Sequence, residues 1–93
     1  SIARTELDPA TLLMVRLAAL AAVDAPADSY LMHVGPAIEA DIGVEQVQDV
    51  LVAIAPIVGT PRVLSAAERI AGALDLVVAV MDLEASGAGA AGR

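Results

Sequence analysis

The sequence predicts an all-α subunit of about four helices, and three observations predict it. Alanine is the commonest residue, 21 of 93, and it is the strongest helix former. No Val/Ile/Thr run alternates cleanly with polar residues, as a half-buried strand requires. Apolar side chains instead recur at intervals of three and four between breaks near 24–26, 42–43 and 59–61, the period of a helix face.

Each element has its own signal. Asp8-Pro9 opens the first helix, with Asp8 as N-cap and Pro9 at the first helical position. Leu12, Leu13, Leu17, Leu20 and Val23 carry that helix to Asp24-Ala25-Pro26. The second runs from about Pro26 to Asp41, with Pro26 near its start and Asp28 favourable to the N-terminal dipole. Pro36 removes a backbone donor inside it and predicts a kink. Gly43 is the expected left-handed residue after its end.

The third helix has the clearest stripe: Val44, Val47, Val50, Leu51, Ile54, Ile57 and Val58 on one side, Glu45, Gln46, Gln48 and Asp49 on the other. Its second half, Leu51 to Val58, is apolar all round, which predicts full burial or a subunit contact. Pro56 predicts a local bend. The last helix spans about Pro61 to Leu83, with Leu64, Ala67, Ile70, Ala71, Leu74, Val77, Val78 and Met81 at helical spacing. The length allows one domain, read as residues 1–84, followed by a Gly/Ala/Ser-rich, mobile tail at 85–93.

Composition excludes several functions. With no cysteine the chain has no disulfide, no thiol nucleophile and no cysteine-bound metal, and one histidine does not make a His-rich metal site. The longest uncharged stretch, Val50 to Pro61, is shorter than a membrane span and holds two prolines. No signal peptide is visible. Five arginines against twelve acids leave a charge of −7, a field that repels nucleic acid and anionic lipid. Hydrophobic residues reach 58%, an excess for so small a globule, which implies that a second copy or a partner covers part of it. The lysine-free, alanine- and arginine-rich composition points to a bacterial source and an acidic, cytoplasmic protein.

The order of these signals carries a resemblance. Leu7-Asp8-Pro9 opens a Leu/Ala-rich helix, and a lone His33 lies in the next. Gly43-Val44 with Val47 opens an apolar helix, Gly59-x-Pro61 closes it, and Ala66-Ala67 follow. This series, from about Leu7 to Val78, resembles the carboxymuconolactone decarboxylase family, which includes the alkylhydroperoxidase D-like proteins. The resemblance implies an all-α, alkylhydroperoxidase D-like subunit that assembles through its helices into trimers or hexamers. Redox-active members carry Cys-x-x-Cys-x-x-x-His and a glutamate one helix earlier. Aligned on His33, the cysteine positions fall on Pro26 and Ser29, and the glutamate position falls near Met14. Thiol peroxidase chemistry is therefore lost.

The decarboxylating branch needs no cysteine pair. For it the resemblance implies cofactor-independent acid–base chemistry on a small carboxylated or lactone substrate, with no metal. An imidazole transfers protons in either direction near neutral pH, which makes His33 the catalytic candidate. Arg16 or Arg62 would anchor the carboxylate through the planar guanidinium fork, and Ser29 and Tyr30 would shape the pocket. Each has a structural reading beside the functional one. His33 amid Leu31, Met32 and Val34 fits a core histidine with one hydrogen bond, Ser29 a polar residue at a helix start, and Tyr30 a core tyrosine with a satisfied hydroxyl. Arg62 and Arg69 have Glu68 and Asp75 as nearby partners, Arg16 has Glu39 or Glu68, and the three methionines read as core filling. The alternatives to an enzyme are a non-catalytic oligomeric module that has lost the family site and a protein that binds a small apolar ligand.

Overall fold

The computed structural model describes residues 5–91, with side chains to residue 87. Four helices follow in order, α1 (Pro9–Ala22), α2 (Ala27–Glu39), α3 (Val44–Val58) and α4 (Thr60–Ala91). No strand occurs among the described residues. The expected all-α class and four-helix count hold, and the bounds of α3 match those read from its stripe.

The helix ends follow simple chemistry. The Asp8 carboxylate accepts from the Thr11 amide at 2.7 Å, satisfying one of the free donors at the start of α1. Pro26 takes the N-cap position of α2 rather than the first helical one. Both α1 and α2 stop on an aspartate. Asp24 (φ 52°) and Asp41 (φ 59°) sit in the left-handed region, which aspartate tolerates better than most residues. After α1, the Asp24 amide donates to Ala21 O at 3.2 Å and the Ala25 amide to Leu20 O at 2.9 Å. After α2, Asp41 donates to Ile38 O and Ile42 to Ala37 O, both at 3.0 Å. Each is a complete Schellman motif.

Gly43 is therefore not the left-handed residue after α2. It is extended (φ −82°, ψ 163°) and is the N-cap of α3, its amide donating to the Gln46 side-chain carbonyl at 2.9 Å. Gly59 does have positive φ (97°). It joins α3 to α4 directly, its amide donating to Ala55 O and its carbonyl accepting from Val63. Helices α2 and α3 continue through Pro36 and Pro56. The last helix does not stop near Leu83 but continues to Ala91. Alanines at 85, 88, 90 and 91 favour helix enough to offset Gly87 and Gly89. The final two tail residues lie outside the described ones.

The core gathers Leu17, Tyr30, Val34 and Leu51 with Ala21, Ala25, Ala66 and Ala73. Alanines at half of these positions let the helix backbones approach closely. Burying Leu17 alone is worth about 2 kcal/mol. Every pair of helices packs together except α2 with α3, which flank the α1/α4 pair without meeting. Only one face of α3 is covered. Leu51 is buried while Ile57 is 88% exposed, so the uniformly apolar half of α3 is not buried within the chain. Two of the three methionines are not core filling either: Met32 is 75% and Met81 52% exposed, while Met14 is half-buried on α1.

Candidate functional site

His33 lies in the middle of α2, half-buried, one turn after Ser29. Its Nδ1 stands 2.7 Å from the Ser29 carbonyl oxygen. A carbonyl only accepts, so Nδ1 carries the proton and donates, and Nε2 is left free with its lone pair when the ring is neutral. The link runs through the Ser29 backbone and not its hydroxyl. Among the described residues the two side chains form no nucleophile–base pair.

Tyr30, the next residue, points the other way. It is completely buried in the core, yet its hydroxyl has no hydrogen-bond partner among the described residues. Burial pushes the phenol pKa up, the nearby Arg69 guanidinium opposes that rise, and the Asp24 carboxylate adds to it. The expected satisfied hydroxyl is therefore absent: the nearby Arg69 and Asp24 bond to each other and not to the phenol.

The arginines also take partners other than those expected. Arg69 reaches back to the α1–α2 turn, donating to Asp24 Oδ1 at 2.7 Å and to Ala25 O at 2.8 Å. Arg62 is exposed and donates to the Ala22 carbonyl at the end of α1. Two α4 arginines thus sit on the negative end of the α1 dipole, where cations are favoured. Glu68 and Asp75 bind neither, because they lie toward solvent while the α1 terminus presents uncapped carbonyls. Arg16 is half-buried on α1 and makes no ion pair among the described residues, with Glu39 and Glu68 included; Arg69–Asp24 is the one such pair.

The main apolar hollow lies elsewhere. A cavity of about 250 Å³ opens where α2 and α3 fail to meet. Leu17 of α1 and Ile70 and Leu74 of α4 contribute its inner wall, Val34 and Ile38 one side, and Val47 and Leu51 the other. Gln48 is its one polar side chain. None of His33, Ser29, Tyr30, Arg16 or Arg62 lines it. A shallower depression of about 390 Å³ between α2 and α4 is lined by Asp28, Glu68 and Arg69 together with small and apolar residues, and it also excludes those five. The five predicted site residues are therefore spread over α1, α2 and α4, with one hydrogen bond among them, between His33 and the Ser29 carbonyl. Sequence reasoning missed the cavity-lining set, whose members read as ordinary core stripe. The signal for Gln48 was present only as a polar residue beside that stripe. No cluster of three or more metal-ligating side chains occurs among the described residues. No helix among them is long and apolar enough to cross a membrane.

No curated protein and no solved structure gives a significant match to this chain. A family model does: the carboxymuconolactone decarboxylase family model matches residues 1–73, which takes in α1, α2, α3 and the first half of α4. Covering well over half of the sequence, and agreeing with the four-helix, cysteine-free subunit described above, that match shows that the chain belongs to the carboxymuconolactone decarboxylase family.

Proposed function

We propose that this family member is a homo-oligomeric module that binds a small, mainly apolar molecule in the cavity between α2 and α3, without cofactor, metal or thiol chemistry. One observation carries the reading: the cavity is apolar apart from Gln48, and no titratable side chain converges on it. Such a lining favours desolvation of a ligand over acid–base work. Its volume, about 250 Å³, suits a compact molecule and is close to the lower end of known ligand sites. The exposed apolar residues on α2, α3 and α4 support assembly into a trimer or hexamer. The setting is a bacterial cytoplasm.

The test is titration with a neutral apolar fluorophore such as N-phenyl-1-naphthylamine. Saturable binding of one probe per chain, abolished by Ala71→Phe, is the expected result. Binding that is unsaturable, or unchanged when Ala71 is enlarged, would remove the cavity from consideration.

A second reading keeps the acid–base lyase or decarboxylase activity of the family's cysteine-independent branch. It is favoured by the hydrogen bond from His33 Nδ1 to Ser29 O, which leaves Nε2 free to exchange a proton with a substrate. In this reading Arg16 or Arg62 anchors the substrate carboxylate, and Ser29 and Tyr30 shape the site. Among the described residues no arginine bonds to the His33 side chain or its partner, Arg62 and Arg69 being engaged at the end of α1, so in this reading the anchor comes from a second copy. Turnover of a small lactone acid that survives His33→Ala unchanged would end it.

A further inference from the structure

Helix α4 carries a second apolar seam, sharing Leu74 with the one that closes its own bundle. Leu64, Ala67, Ala71, Leu74, Val78 and Met81 follow at alternating intervals of three and four, the a/d repeat of a helix-pairing surface. Its first half borders the cavity, since Ala67, Ala71 and Leu74 all line it. Its second half stands beyond the bundle, with Val78 and Met81 about half exposed. Every side chain described from Val78 onward on α4 is exposed. The family match ends at residue 73, so this projecting half lies beyond the matched region.

The repeat is self-complementary in one direction. Reversed about a point between Leu74 and Val78, it sets Leu74 against Val78, Ala71 against Met81 and Ala67 against Ala85. The long methionine then meets a short alanine, as interdigitating packing requires. A parallel pairing would stack alanine on alanine and methionine on methionine, leaving a gap at one layer and crowding at the other. The seam from Leu64 to Ala85 is about 32 Å long at 1.5 Å per residue. A strip two helices wide along it covers about 700 Å² a side, close to the ~800 Å² of a standard stable interface.

We propose that the α4 helices of two copies pair antiparallel about a two-fold axis between Leu74 and Val78, so that Met81 of each copy roofs the α2/α3 cavity of the other. The occupant of the open groove is thus a second copy of this chain, and the ligand site is complete only in the assembly. This rests on the cavity being the binding site. Two-fold pairing is also one of the two interface types in a D3 hexamer, so it specifies an even number of chains. Glu68, Asp75 and Asp82 run along one flank of the seam and face their counterparts in an antiparallel pair. Their mutual repulsion is relieved by salt, so the assembly tightens as ionic strength rises.

The absence of cysteine makes the test clean, because every disulfide must be an introduced one. Ala71→Cys and Met81→Cys chains are mixed and oxidised, with the exposed, off-seam Ala79→Cys as control. The expected product is a covalent species at twice the 9.3 kDa chain mass, abundant only in the mixture. No crosslinking above the control, or an odd number of chains by light scattering, overturns the proposal. Met81→Glu, at an exposed position that leaves the fold intact by circular dichroism, is expected to weaken N-phenyl-1-naphthylamine binding about tenfold, a 1.4 kcal/mol effect. Unchanged probe affinity in Met81→Glu overturns the roof while the cavity reading stands. Crosslinking of the cysteine variants together with no probe binding by the wild-type chain would instead refute the cavity reading and leave the pairing intact.

Discussion

Arg69 and Asp24 form an ion pair at 2.7 Å across 45 residues of sequence. The same Arg69 nitrogen donates to Ala25 O at 2.8 Å. One α4 side chain therefore fixes the left-handed turn that ends α1 and sets the start of α2. Both partners are partly solvated, which screens the charge term, so the carbonyl contact matters as much as the carboxylate. Arg69→Met is expected to destabilise the chain by about 1–2 kcal/mol, and Asp24→Asn, which keeps the left-handed preference, by less than 1 kcal/mol. Urea denaturation measures both. Equal losses would mean that the ion pair alone, and not the carbonyl contact, holds the turn.

Tyr30 gives a prediction of opposite sign. Its buried hydroxyl lacks a partner, and leaving such a group unsatisfied costs about 1–3 kcal/mol. Tyr30→Phe is therefore expected to leave stability unchanged or to raise it by up to about 1 kcal/mol, whereas Tyr30→Ala loses about 3–5 kcal/mol to the void left behind. Burial raises the phenol pKa in the folded chain above the ordinary value of 10.0. Above pH 10 the unfolded phenol ionises while the folded one stays neutral, so the unfolded state binds fewer protons and stability falls as pH rises. Denaturation curves from pH 8 to 11 should show a shallower decline for Tyr30→Phe than for the wild type.

Much of the fold is legible locally. Asp8-Pro9 names its own helix start, the stripe from Val44 to Val58 gives α3 end to end, and Gly59 marks the one junction where glycine's backbone freedom is needed. The stops of α1 and α2 are less legible, because aspartates take the left-handed turn, at α2 in the place expected of Gly43. Asp24 is held left-handed partly by Arg69, a partner that no local pattern reveals. The run of α4 past Glu84 reflects alanine propensity outweighing two glycines, a balance that composition alone read the other way.

The site was less legible, for a physical reason. The cavity exists because α2 and α3 do not touch, a relation between two elements that leaves no mark on either sequence. Val47 and Leu51 would show the same spacing whether they met a neighbouring helix or an empty space. The acceptor of Arg62, the Ala22 carbonyl, is a backbone group 40 residues away that no local pattern reveals. His33 stands out by its rarity and by its place in the family pattern, and the structure adds which ring nitrogen is free.

Two glycines separate conformational from steric cost. At Gly59, φ is +97°, and a β-carbon would meet nothing closer than the Pro61 ring at 3.9 Å. The penalty for Gly59→Ala is therefore backbone strain, about 1–3 kcal/mol. Gly72 is helical, and a β-carbon there meets nothing within 4 Å. Gly72→Ala is expected to stabilise by about 0.5–1 kcal/mol through helix propensity. Thermal melting of the two variants should move in opposite directions.

The N-cap of α1 supplies an acid-side counterpart to Tyr30. The amide and hydroxyl of Thr11 hold the Asp8 carboxyl below its ordinary pKa. A depressed folded pKa means that the cap's contribution is present above the unfolded value and is lost as pH falls through the folded one. Asp8→Asn keeps a capping oxygen but cannot titrate. Its melting temperature is expected to fall less steeply than that of the wild type between pH 5 and pH 2, and parallel slopes would mean that the cap does not contribute to acid sensitivity.

Gln48 decides what the cavity prefers. As the single polar side chain in an apolar lining, its amide can orient a ligand that carries one carbonyl or hydroxyl group, and discrimination of that kind is large because the unmatched amide would otherwise lose its bond to water. Gln48→Leu is expected to leave stability within about 0.5 kcal/mol, since the residue is exposed on α3. The same change should improve binding of a wholly apolar probe severalfold. It should also weaken binding of a matched ligand bearing one hydroxyl about tenfold, the value of roughly one hydrogen bond. Competition titrations of naphthalene against 1-naphthol measure the ratio. A ratio that does not change between wild type and variant would show that the amide points into solvent and that shape alone selects the ligand.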